Sequence, residues 1–155
     1  MEPRMKSPAW TVPGLRDALL AIAKTTENAG VPQATLELVH ARVGQINGCS
    51  VCVDMHCRAL KKLGESEARI FALPVWREAP YYTEAERAAL AFAEAATRLN
   101  DRADAVPDEL WKQVAGHFSA AGLAALVTAI AAANFWNRLN VPTRQVTGEW
   151  IAQYI

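Results

Sequence analysis

Apolar residues return every three or four positions along almost the whole chain, and no stretch alternates apolar with polar residues for more than a few positions. A period near 3.6 buries one face of a helix, whereas a half-buried strand buries every second side chain, so the pattern specifies an all-α fold. Leu15, Leu19, Ile22 and Ala23 recur at helical spacing after Pro13-Gly14, and Asn28-Ala29-Gly30 reads as a terminator. A second helix is expected from about Gln33 to Ile46, with Leu36, Val39, Val43 and Ile46 on one side and Asn47-Gly48 as its breaker. A third carries Cys52, Met55, Ala59 and Leu63 as a buried stripe and closes at Lys61, Lys62 and Gly64. A short helix after Glu65 is expected to end before Pro74. The sequence Thr83-Glu84-Ala85-Glu86 is a capping box for a long helix to about Leu99, Val106-Pro107-Asp108-Glu109 opens another, and Ser119 caps the last.

A chain of 155 residues with 52% hydrophobic content suffices for one domain spanning 1–155, with 1–13 as an extended N-terminal segment. Sixteen basic residues balance sixteen acidic ones, which argues against nucleic acid and anionic membrane surfaces as partners. The first thirteen residues mix Glu2, Arg4 and Lys6 with three prolines and lack the apolar run of a secretory signal, so a cytoplasmic location is expected. The run from Ala120 to Trp136 is mostly alanine and is interrupted by Thr128 and Asn134, which favours a buried core helix over a membrane span.

All three cysteines fall between Cys49 and Cys57, a clustering that points to reactivity or metal binding rather than to a secreted disulfide framework. With Gly48 ending the preceding helix, Cys49 and Cys52 sit at a helix N-terminus, where unpaired backbone N–H groups and the helix dipole favour a thiolate. Three residues apart on a helix, their Cβ atoms lie ~5–6 Å from each other, within reach of a disulfide. His56, one turn beyond Cys52, is positioned to accept its proton. Should the breaker fold the chain back, Glu37 and His56 lie about 15 and 12 Å from the bend, at similar heights, so that Glu37 orients His56. The alternatives are a pair of structural cysteines, a hydrogen-bonded core histidine and a solvated glutamate. A zinc site built on Cys49, Cys52 and His56 with Glu37 or Cys57 is disfavoured, because helical spacing does not converge these ligands tetrahedrally and turns Cys57 away. The reading therefore includes no metal or cofactor. His40 and His117 are read as structural. Trp76, Tyr81 and Tyr82 are read equally well as lining a pocket or packing at a subunit interface, and are left out of the site.

A glutamate, eleven intervening residues and Cys-x-x-Cys-x-x-x-His, here Glu37, Cys49, Cys52 and His56, resemble the signature of the AhpD-like alkylhydroperoxidases of the carboxymuconolactone decarboxylase superfamily. The stretches Gln45-Ile46-Asn47-Gly48-Cys49, Val75-Trp76-Arg77-Glu78-Ala79-Pro80 and Asn134 to Leu139 are similar to its peroxidase-related branch. The resemblance implies an all-α homo-oligomer, a trimer or hexamer, with the thiols in a helical pocket. It implies Cys52 as the nucleophile toward a hydroperoxide substrate, Cys49 as the resolving cysteine, His56 and Glu37 as the proton relay, and a dithiol or lipoyl-type reductant. Founding peroxidases of the family carry a further histidine between the cysteines, where this chain has Ser50-Val51. The expected function is thiol-dependent reduction of alkyl hydroperoxides; the alternative is a non-catalytic redox sensor or interaction protein that uses the same dithiol.

Overall fold

The computed structural model describes residues 2–100 and 102–155, and among them every regular element is helical. The order is α1 (Pro8–Thr11), α2 (Leu15–Lys24), α3 (Gln33–Asn47), α4 (Ser50–Lys62), α5 (Glu67–Ala72) with a 3₁₀ turn (Leu73–Val75), α6 (Glu84–Thr97), α7 (Asp108–Ala115), α8 (Ala120–Asn140) and a C-terminal 3₁₀ helix (Glu149–Tyr154). The expected boundaries of α3, α4 and α6 hold to within two residues. The α6 capping box is formed by Thr83 and Glu86, and the Ser119 hydroxyl accepts from the Gly122 N–H. Two helical pieces were not anticipated. The turn Pro8–Thr11 lies within the segment expected to be extended, nucleated by Pro8 in its first turn, and the 3₁₀ helix near the C-terminus is too short to carry a periodicity.

Helix α3 is the axis of the fold and packs against α4, α8 and α6. Leu36, Val39 and Val43 join Ala88, Ala89, Phe92, Leu126 and Ile130 in the main core. A second cluster gathers Leu38, Leu60, Leu73, Trp76, Tyr82 and Leu90. Two expected stripes are corrected. Ile22 is 43% exposed, to one side of the buried Leu19 that anchors α2, and Leu63 is 50% exposed because it is the C-cap beyond the last turn of α4, which is anchored by Val51, Cys52 and Leu60. Trp76 and Tyr82 belong to the second core cluster and Tyr81 faces outward, so none of the three lines the cavity described below.

By length and composition α8 is apolar enough to cross a membrane. In the fold its Ala125, Leu126, Ala129, Ile130 and Ala133 are core residues, and its last two turns bury Asn137 and Asn140. A second buried polar centre gathers around Glu94 of α6. The Glu94 carboxylate accepts from Trp76 Nε1 at 2.9 Å, Arg77 Nη1 at 2.9 Å and Arg42 Nε at 2.8 Å.

Candidate thiol-redox site

The chain reverses between α3 and α4 through a Schellman turn. Gly48 adopts φ +70°, the Gly48 N–H donates to Gln45 and the Cys49 N–H donates to Gly44 at 2.9 Å. This left-handed conformation is the physical content of the Asn47-Gly48 breaker. It delivers Cys49 to the N-cap of α4 and Cys52 to the third position of its first turn, with the Cys52 N–H donating to Cys49 Sγ at 3.3 Å. The two cysteines are joined as a disulfide, their Cα atoms 5.4 Å apart. Gly44 allows the two helices to approach closely here: a Cβ on it would stand 3.3 Å from the Cys52 Cβ and 3.2 Å from a Val53 methyl.

His56 and Glu37 meet across this helical hairpin as the spacing predicts, Nδ1 lying 2.7 Å from a Glu37 carboxylate oxygen. The other carboxylate oxygen accepts from Gln33 at 2.7 Å. Burial alone would raise the Glu37 pKa, but the hydrogen bond and charge of His56, with the Gln33 bond adding to them, hold it below the ordinary carboxylate value. With Glu37 ionised and bonded to Nδ1, the His56 tautomer is fixed with Nδ1 protonated, which leaves Nε2 as the free base.

Three residues at the site were not expected there. His40, read as structural, sits with its ring centroid 4.7 Å from that of His56 and lines the same cavity. Desolvation, reinforced by His56, pushes its pKa down to about 3, so it is neutral at ordinary pH. The signal available was its position three residues after Glu37, on the same face of α3. Asn137 Nδ2 donates to Cys52 Sγ at 3.0 Å, while its Oδ1 accepts from Asn47 at 2.7 Å, which fixes the orientation of the amide. Asn140 approaches Cys52 Sγ at 3.6 Å and Cys49 Sγ at 3.8 Å. The sequence clue was three asparagines, Asn134, Asn137 and Asn140, at three-residue spacing on an otherwise apolar helix.

A cavity of about 560 Å³ opens beside this site. Cys52, His56 and Met55 contribute from α4, and Trp136, Asn137 and Asn140 from α8. Cys49 is absent from the lining and is 2% exposed; it shares a small buried cluster with Val51, Cys52 and Ile151 of the C-terminal 3₁₀ helix. That helix is strapped to α4 by the Arg58–Glu149 pair at 2.9 Å, by the Thr147–Asp54 hydrogen bond and by Lys62 donating to the Ile155 carbonyl at 2.7 Å. Cys57 packs partly buried against the second core cluster, and burial, with the Asp54 charge second, pushes its thiol pKa up. Among the described residues, Glu37, His40 and His56 bring possible cation ligands within 4.8 Å of one another. This set contains neither Cys49 nor Cys52.

The candidate site is thus a helical hairpin that presents a CxxC pair, sets a Glu-His pair beside it and places Cys52, though not Cys49, on the lining of a cavity. The chain belongs to the carboxymuconolactone decarboxylase family, whose model matches residues 13–95. It is 37% identical over 123 residues to the uncharacterized protein YdfG of Bacillus subtilis, covering 79% of this chain and 82% of that one. A shorter match, 49% over 43 residues, covers 28% of this chain and 24% of the alkyl hydroperoxide reductase AhpD of a Bradyrhizobium strain. Among solved structures, a protein of unknown function from Agrobacterium tumefaciens, provisionally assigned to antioxidant defence as AhpD, superposes with a TM-score of 0.87 at 33% identity, covering 95% of this chain and 99% of that one. The debrominase Bmp8 shares the fold, with a TM-score of 0.75 at 22% identity over 91% of this chain and 75% of its own.

Proposed function

We propose that the protein is a thiol-dependent peroxidase that reduces organic hydroperoxides through the Cys49–Cys52 pair. The observation that carries this reading is the asymmetry of the two cysteines: both are buried, but Cys52, 6% exposed, lines the cavity with His56, whereas Cys49, 2% exposed, does not. In the reduced enzyme His56 Nε2 takes the Cys52 proton, and Asn137 Nδ2 donates to the thiolate sulfur. The thiolate attacks the terminal peroxide oxygen, the O–O bond breaks, and the alkoxide leaves as the alcohol with the proton held by His56. Cys52 is then a sulfenic acid. The Cys49 thiol attacks its sulfur, the S–O bond breaks, water leaves, and the disulfide forms. An external dithiol of lipoyl type restores both thiols by two exchange steps, becoming a disulfide itself. A cytoplasmic location, where such reductants are held reduced, fits this cycle. Phe71 and Val75, 73% and 61% exposed, offer an apolar face for the trimer or hexamer that the resemblance implies.

The test is coupled peroxide consumption with cumene hydroperoxide and dihydrolipoamide. Sustained turnover is expected in the wild type, loss in Cys49→Ser and Cys52→Ser, and a reduction of about 10²–10⁴-fold in His56→Ala. Ordinary turnover in Cys52→Ser would overturn the assignment. A single oxidation without turnover, accompanied by a change in assembly, would transfer the site to redox sensing.

A further inference from the structure

The cavity beside Cys52 has a lopsided chemistry. Trp10, Trp136, Trp150 and Tyr154 give it aromatic walls, with Leu20 and Met55 adding aliphatic surface. These rings form one cluster: Trp10 stands 6.4 Å from Trp136 and 6.1 Å from Tyr154, and Tyr154 stands 5.9 Å from Trp150. Among the described residues lining the cavity, Arg16 is the one lysine or arginine, and no aspartate or glutamate accompanies it. Its guanidinium carbon lies 5.8 Å from the ring centroids of both Trp10 and Tyr154. Its acidic contact is Asp17 at 3.5 Å, a side chain that is 83% exposed and therefore well screened by water. Arg16, its side chain 36% exposed, is thus a cation held against two aromatic rings at the rim of an apolar cavity, with no buried carboxylate beside it among the described residues.

A neutral hydroperoxide has no use for such a group. A carboxylate does, since the planar fork of an arginine matches it with two charge-assisted hydrogen bonds. A volume of about 560 Å³ also exceeds what hydrogen peroxide or a short alkyl hydroperoxide fills. We infer that the cavity selects a large apolar hydroperoxide bearing a carboxylate, the carboxylate meeting Arg16 and the aromatic cluster enclosing the hydrocarbon while the peroxide faces Cys52. Arg16 is then a specificity-determining residue contributed by α2, outside the dithiol hairpin. The inference rests on the peroxidase reading for the identity of the reacting group and on the cavity alone for the anion and the apolar body. The chemical step is unchanged: the substrate leaves as a hydroxy acid, and the external dithiol supplies both electrons.

The deciding experiment separates binding from turnover. The non-peroxidic hydroxy acid formed by reducing linoleic acid hydroperoxide, and its methyl ester, are titrated into the full-length protein while tryptophan fluorescence is followed, since three tryptophans line the cavity. The acid is expected to bind about tenfold or more tightly than the ester, the preference to vanish in Arg16→Gln and to be largely restored in Arg16→Lys. With the hydroperoxides themselves, Arg16→Gln is expected to raise KM for the acid about tenfold relative to KM for its methyl ester. Equal binding of acid and ester, or a preference that survives in Arg16→Gln, would overturn the inference, while cumene hydroperoxide turnover would leave the peroxidase reading standing. Preferential, Arg16-dependent binding of the acid without turnover of any hydroperoxide would uphold the anion site and overturn the peroxidase reading.

Discussion

Glu37 and Glu94 are buried to nearly the same degree, with 12% and 9% of their side chains exposed, yet their partners differ in kind. Glu94 on α6 is held by Arg42, Arg77 and Arg98 together with the Trp76 indole, all donors that keep their protons at any ordinary pH. Burial works against its ionisation, but the Trp76, Arg77 and Arg42 bonds win and bring its pKa down to about 2. Glu37 on α3 is held by a histidine and a glutamine, with a second histidine beside them. A carboxylate surrounded by permanent cations fixes structure. One paired with a group that gains and loses a proton can serve chemistry, because the pair has two charge states to move between.

The comparison is sharpest in crossed substitutions. Glu37→Gln is expected to lower peroxide turnover by about 10²–10⁴-fold, because His56 loses the anion that sets its tautomer and stabilises its charged form. Its thermal midpoint should stay close to that of the wild type. Glu94→Gln is expected to do the reverse, costing about 3 kcal/mol of stability by leaving Arg42 buried and unpaired, at the low end of the usual range because Arg77 and Arg98 stay hydrated. Its turnover per folded molecule should be near normal. Denaturant unfolding beside coupled kinetics reads both, and a stability loss in Glu37→Gln equal to that in Glu94→Gln would erase the distinction.

Acid unfolding tests the same contrast by titration. The Glu94 pKa is lowered in the fold, so its contribution to stability is full above about pH 4.5 and is lost as pH falls toward about 2. The wild type should lose stability steeply across that window and Glu94→Gln more shallowly, as followed by circular dichroism. A smaller effect belongs to Gly44→Ala. The new Cβ crowds Cys52 and Val53 at a cost of about 1–3 kcal/mol, against about 1 kcal/mol regained in helix propensity. A net loss of up to about 2 kcal/mol follows, and a stabilised variant would show that the hairpin relaxes freely. The smallest expected effect is in His40→Gln. His40 is neutral above about pH 3, so the limbs of the pH–rate profile between pH 5 and 8 should stay in place; a displaced limb would show that His40 titrates there.

Much of this molecule could be read from its sequence because the decisive signals are local. Asn47-Gly48 fixes the reversal, four-residue spacing places His56 a turn beyond Cys52, and Thr83 with Glu86 closes a cap, each within one or two helical turns. What escaped depends on contacts between distant segments. The Cys52–Asn137 hydrogen bond joins residues 85 positions apart, and the cavity brings Trp10 and Arg16 from the first two helices to Tyr154 near the C-terminus. His40 was missed for a different reason. It lies on the same helix as Glu37 at the right spacing, but a lone histidine is most often a core residue, and only its 4.7 Å approach to His56 distinguishes it.

The asymmetry of the two sulfurs is tested most directly by trapping the first oxidation product. Reduced Cys49→Ser and reduced Cys52→Ser proteins are each treated with one equivalent of cumene hydroperoxide in the presence of dimedone, and the labelled cysteine is located by peptide mass spectrometry. Cys52, which lines the cavity, should carry the label in Cys49→Ser, while Cys49 in Cys52→Ser and Cys57 in both proteins stay unlabelled. Equal labelling of Cys49 in Cys52→Ser, labelling of Cys57, or no label in Cys49→Ser after the peroxide has been consumed, would contradict the account.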